Sequence, residues 1–216
     1  MANSKQGEKP NGESVFKDPL RTAVSSACSR LQGAYLGDKQ SPAHHSSRAR
    51  LAELRRGAGL KLEQNPLALE LTIYSTFPEF EENLVGKGDR ISDSERAAYF
   101  ALSLFGVHMQ SATMPMHVPV RTFANACGVL SSRRESSSVK HRVDAMLLAS
   151  SEDARMIHVR SLVTLLRAEE IGFDYGKFAQ DLRGLMNPKK RPSIQLTWGR
   201  DFALGFYRSQ SPQQEP

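Results

Sequence analysis

The chain has only two cysteines, Cys28 and Cys127, in 216 residues. They stand far apart among apolar neighbours, a setting for reduced core thiols rather than a disulfide framework or a paired-cysteine zinc site. Long apolar runs are missing too. Nowhere do eighteen apolar residues follow one another, and Met1–Lys9 is polar and charged, so neither a membrane span nor a secretory signal is expected and the expected compartment is the cytoplasm. β-Branched runs bounded by turns are absent, which argues against a sheet. Aromatics make up 7% and fall mainly at core spacings, as in Trp198, Phe202 and Phe206 or Tyr99, Phe100 and Phe105. That spacing argues against an aromatic platform on which bases stack. No glycine-rich phosphate loop, dinucleotide fingerprint, HExxH, paired CxxC or GxSxG occurs, and the six histidines are not spaced as a metal-ligand set. No enzyme activity, cofactor or metal is therefore expected.

What is present is apolar residues at helical spacing. Helices are expected at about Asp18–Leu36, Ser46–Arg56, from Pro66 to before Pro78, and from Ser92 or Asp93 through Gln110. Others are expected at Arg121–Leu130, Ser137–Ser150, Glu152–Glu169, Tyr175–Met186 and Gln195–Tyr207. The sequence SDSE at 92–95 supplies a helix cap and acidic first-turn charge, and Gly57-Ala58-Gly59 a helix stop. In the helix from Glu152, Met156, Val159, Val163 and Leu166 form an apolar stripe, with Arg160, Thr164 and Arg167 on another face. The fold class is all-α, a helical bundle of two packed halves, 15–114 and 120–208, divided at the PMHVP stretch 115–119. The polar ends, 1–14 and 209–216, read as loose tails.

Charge is segregated along this frame. Lys39–Lys61 holds six basic residues against one acidic, Arg183–Arg208 again six against one, and Leu67–Phe100 three against seven. The net charge is +6 and the pI about 9.5, a balance that favours polyanions. Three basic clusters stand out: Arg48, Arg50, Arg55 and Arg56 around Leu51 and Leu54; Arg133, Arg134, Lys140, His141 and Arg142; and Lys189, Lys190 and Arg191 in a loop before the last helix. The adjacent His44-His45 reads as a solvated loop, and Glu79, Glu81 and Glu82 as a surface turn. Guanidinium forks suit phosphate oxygens, and contacts to backbone phosphate carry no base identity, so sequence-independent nucleic-acid binding is expected. A helix-turn-helix regulator reading DNA with residues 121–150, where Asn and Gln are sparse, and a purely structural adaptor are the alternatives.

The stretches RARLAELRRGAG with Pro66 downstream, VKHRVDAMLLAS, HVRSLVTLLR, FDYGKFAQDL and WGRDF occur in an order and spacing that resemble the CasB family. That family is the small subunit of the type I-E CRISPR surveillance complex, Cascade. The resemblance implies a non-catalytic, all-helical subunit in antiviral defence, present in two copies beside the backbone and large subunits. It also implies contacts to the crRNA and target DNA that stabilise the R-loop and its displaced strand. Carried over by position, Arg55 and Arg56 close the early basic helix, Arg142 and Arg160 match arginines of two later motifs, and Lys189, Lys190 and Arg191 fall in the basic loop. With Arg134 and Lys140 these are the expected nucleic-acid-binding residues. Val143 departs from the pattern, where an aromatic is expected, as does Leu185-Met186, where a tryptophan often ends the helix.

Overall fold

A computed structural model of the chain describes residues 18–134 and 137–210. The expected tail at 1–14, and that at 209–216 from 211 onward, lie outside the described residues. The described residues form an all-α bundle: α1 Pro19–Leu36, α2 Pro42–Gly57, α3 Pro66–Thr76, α4 Asp93–His108, α5 Phe123–Arg134, α6 Ser137–Leu148, α7 Glu152–Ala168, α8 Tyr175–Met186 and α9 Arg191–Gln210. Short 3₁₀ turns lie at Leu62–Gln64 and Glu82–Leu84. None of these helices is long and apolar enough to cross a membrane.

Local chemistry sets the helix ends. The Asp18 carboxylate accepts from Arg21 N–H at 3.1 Å and opens α1, and Asp174 accepts from Lys177 N–H at 2.9 Å and opens α8. At α4 the capping box is complete: Ser92 Oγ accepts from Glu95 N–H at 3.0 Å and Glu95 Oε2 from Ser92 N–H at 2.7 Å. Several expected ends move, among them that of α5, which runs four residues past Leu130 and takes Arg133 and Arg134 into the helix. α2 starts a turn before Ser46 because Ser41 caps it, accepting from His44 N–H at 3.1 Å, with Pro42 at the first helical position. His44 is therefore helical and half-buried, its Nδ1 2.8 Å from the Tyr35 carbonyl and its ring stacked on Tyr35, which corrects the solvated-loop reading. α9 starts at Arg191 instead of Gln195, taking Arg191 out of the loop, and it runs through Ser209 and Gln210.

α4 is the central element, buried almost throughout from Ala97 to His108. α1, α2, α3, α7 and α8 pack around it, and α9 lies mainly along α5. One hydrophobic cluster runs from Leu20 to Phe202 and draws on residues from both sides of the PMHVP stretch. That stretch is itself pinned. Gln32 of α1 accepts from the N–H groups of Met116 and His117 at 3.1 and 2.9 Å and donates to the His117 carbonyl at 3.0 Å, while Phe173 bonds Met116 and Val118 at 3.0 Å each. Val143 and Leu185, the two departures from the expected pattern, are 2% exposed and fill core positions.

The α5–α9 contact brings backbone against backbone. A Cβ on Gly128 would fall 2.1 Å from the Phe202 carbonyl oxygen, and one on Gly205 2.2 Å from that of Asn125, so each glycine admits the other helix. Gly199, also in α9, faces open space. Alanine ordinarily gains up to about 1 kcal/mol over glycine inside a helix. Gly199→Ala is therefore expected to raise the urea midpoint slightly. Gly205→Ala should lower the midpoint, with a loss of roughly 3 kcal/mol in stability, because backbone cannot swing aside as a side chain can. Equal responses at the two positions would rule out the close crossing.

Candidate nucleic-acid interface

The basic residues of α2 are displayed by burial of its opposite side. Leu51 and Leu54 are 3% and 2% exposed, which turns Arg48 and Arg56 fully outward and leaves Arg50 and Arg55 at the edges. Arg48 and Arg55, seven residues apart, lie on one side of α2, which ends at Gly57. Two residues past that end the guanidinium of Arg160 from α7 comes to rest: a Cβ on Gly59 would stand 2.5 Å from its Nη1. A residue more than a hundred positions on thus brings a cation to the end of the basic helix. On the other edge of α2, Arg50 and Arg56 line a groove closed by Leu67, Leu71 and Tyr74 of α3.

The nine expected contact residues divide by what they already touch. Arg55, Arg56, Arg160, Lys189 and Lys190 make no side-chain hydrogen bond or ion pair among the described residues, and Arg56, Arg160 and both lysines are exposed. The other four are engaged. Arg134 Nε lies 3.0 Å from Glu169 Oε1, and its neighbour Arg133 donates to the Glu169 carbonyl at 3.3 Å, so the end of α5 is tied to the end of α7. Lys140 pairs with Asp144 one turn on and sits over the Phe202 ring at 5.9 Å. Arg142 donates to the Ser138 carbonyl at 3.2 Å, and Arg191 Nε to the Leu185 carbonyl at 2.9 Å. An engaged arginine keeps a free edge for phosphate, but less of it.

The start of α7 joins two of the three clusters. Lys61 pairs with Asp153 at 2.7 Å, and Arg96 of α4 bridges Glu63 and Glu152, which fixes the turn after α2 against α7. On the other side Arg155, Glu152 and Arg191 line one small cavity. Burial, and then the charge of Arg191, hold the Arg155 guanidinium below its usual value, and burial raises the Glu152 carboxyl despite Arg96. The Asp153 hydrogen bond holds the Lys61 ammonium above its ordinary range. The Arg133–Arg134–Lys140 cluster sits at the opposite end of α7, a helix of 17 residues, so it is roughly 25 Å away.

Nothing in the described residues gathers three or more His, Cys, Asp or Glu side chains into a metal site. Cys28 and Cys127 are fully buried and burial pushes both thiols up, while burial pushes His108 and His117 down. Sequence reasoning misses the apolar part of the surface. In the α2–α3 groove Leu60, Leu67 and Tyr74 are 48%, 73% and 66% exposed. The signal is in α3, whose sequence PLALELTIYST spreads its apolar residues around the helix instead of along one stripe, while Ala68, Thr72 and Thr76 are the buried side.

A sequence model of the family described as CRISPR-associated protein Cse2 matches residues 50–202. Among solved structures, CasB from Thermobifida fusca superposes with a TM-score of 0.68 at 26% identity, covering 86% of this chain and 98% of that one. A Cse2-family CRISPR-associated protein from Thermus thermophilus gives 0.58 at 24% identity over the same shares. No curated protein matches the sequence.

Proposed function

The chain belongs to the Cse2 family of CRISPR-associated proteins, and from that membership we propose that it is the non-catalytic small subunit of a Cascade-type RNA-guided complex. In this reading it holds the backbone of the crRNA–target duplex and of the displaced strand without reading sequence, beside the backbone and large subunits and a second copy of itself. The observation that carries the reading is that Arg160 of α7 comes to rest at Gly59, just past the end of the basic helix α2, so that cations from two distant helices meet there with no acidic partner for Arg160, Arg55 or Arg56 among the described residues. Arginines that served packing alone would find carboxylates, as Arg30 does with Glu79 and Arg134 with Glu169.

The energetics need only a few contacts. R-loop formation exchanges one duplex for another of similar stability, so a handful of phosphate contacts tips the balance toward the open state. Arg55, Arg56, Arg160, Lys189 and Lys190 are the strongest contributors, and Arg134, Lys140, Arg142 and Arg191 secondary ones. Replacing the first five by alanine in the assembled complex should shorten R-loop lifetime. It should also flatten the fall of log affinity with log salt by about 0.7 for each single-strand phosphate that is no longer neutralised. Unchanged lifetime and unchanged salt slope would sink the reading and leave a purely structural adaptor.

A further inference from the structure

We infer that the groove between α2 and α3 takes an unpaired nucleobase against Tyr74, so that the chain binds single-stranded nucleic acid by its bases as well as by its phosphates. This rests on the backbone-binding reading and adds a ligand class to one part of that surface.

Three observations meet at the groove. Its α3 side presents Leu67, Leu71 and Tyr74, with Leu67 and Tyr74 largely exposed, an apolar surface that nothing else in the described residues covers. Its other wall carries Arg50 and Arg56, which make no ion pair or side-chain hydrogen bond among the described residues. Leu60, at its end, also lines the neighbouring cavity under Arg160, so the two openings run together over one leucine. Arg56 lines one opening and Arg160 the other, with the exposed Leu60 between them.

The chemistry of such a groove selects its occupant. A duplex keeps the faces of its bases stacked inside, so it has nothing to lay against leucine and tyrosine faces. An unpaired strand offers both parts, phosphates for the arginines and π-faces for the phenol ring. The groove holds about 520 Å³, room for a base with its sugar. Glu53 and Glu70 also line it. Glu53 stands on α2 between the two arginines and Glu70 on α3, and their carboxylates accept from exocyclic amines of a base that enters.

The test compares three oligonucleotides of equal length on the full chain at low salt: an ordinary single strand, the same strand with abasic sites, and a duplex. The ordinary strand is expected to bind about tenfold more tightly than the abasic one, a difference of roughly 1.4 kcal/mol. Tyr74→Ala should bring the ordinary strand down to the abasic level without touching abasic binding, and Tyr74→Phe should keep the preference. Tyr74 is exposed, so thermal melts of the variants should match the parent. Equal binding of ordinary and abasic strands, both weakened by Arg56→Ala, would overturn the base groove and leave backbone binding standing. Strand binding indifferent to Tyr74 while Tyr74→Ala lowers incorporation into the complex would assign the groove to a protein neighbour instead. If no strand binds and Arg56→Ala changes nothing, the backbone reading fails, and the groove with it.

Discussion

Trp198→Ala should lower the stability of the chain by roughly 4 kcal/mol, within the usual range for removing a buried tryptophan. The indole is 1% exposed, with ring centroids of Phe123 and Phe178 at 5.5 and 6.3 Å, so its removal opens a cavity where α5, α8 and α9 meet. It also strips a donor from Asp181. Trp198 Nε1 donates to Asp181 Oδ2 at 2.9 Å, and burial already raises the Asp181 carboxyl against the pull of Lys177. Domains of this kind have about 5–15 kcal/mol in total, so the loss is a large fraction of what holds the bundle together. Urea unfolding followed by circular dichroism measures it. Trp198→Phe keeps most of the volume and loses the hydrogen bond, and should cost about 1–2 kcal/mol. A drop under about 1 kcal/mol for the alanine variant would mean that α9 is not seated through this residue.

The same helix shows what can and cannot be seen in the sequence. Trp198 and Phe202 are legible as core because two large aromatics four residues apart on a helix share one face, although Leu196, Leu204 and Tyr207 of the same helix are exposed. α8 runs over the expected Tyr175–Met186 because Asp174 caps it locally and its apolar face is strongly periodic. α9 begins earlier than expected because Arg191 and Pro192 look like loop, whereas proline in a first helical turn gives up no hydrogen bond. Local signals set what local interactions decide.

The candidate surface divides in the same way. Basic clusters are visible as composition, and their placement on helical edges follows from where the leucines must be buried. Which arginine is free is a tertiary fact. The partner of Arg134 is Glu169, thirty-five residues on, and Arg160 reaches Gly59 only because α7 packs beside the end of α2. The exposed Tyr74 is invisible for a different reason: an apolar position in a helix is assigned to the core by default, and only the fold shows that α3 has more apolar faces than neighbours.

Stability should fall as the solution is acidified from pH 7 toward 5, before most carboxylates take up protons, and His108 is the principal cause. Its ring is fully buried at the end of α4, with Nδ1 2.9 Å from the Tyr175 hydroxyl and Phe173 packed alongside. Burial first, and then the charge of Arg167, push the imidazole from its ordinary 6.5 down to about 3. The folded chain therefore keeps His108 neutral while the unfolded chain takes up a proton below pH 6.5. The contribution is complete above about 6.5, shrinks by about 1.4 kcal/mol per pH unit on acidification, and is gone near 3, a total of roughly 5 kcal/mol. By pH 5 the loss should reach about 2 kcal/mol. His117, lowered chiefly by burial and accepting from the Tyr175 N–H at 3.1 Å, adds to it in the same direction. Denaturation curves at pH 7, 6 and 5 for the parent and for His108→Gln, a neutral side chain of similar reach, separate the two. The variant should be less stable at pH 7 but lose much less on going to pH 5. If its slope with pH equals that of the parent, the proton is taken up elsewhere and the buried imidazole is not what limits the fold in acid.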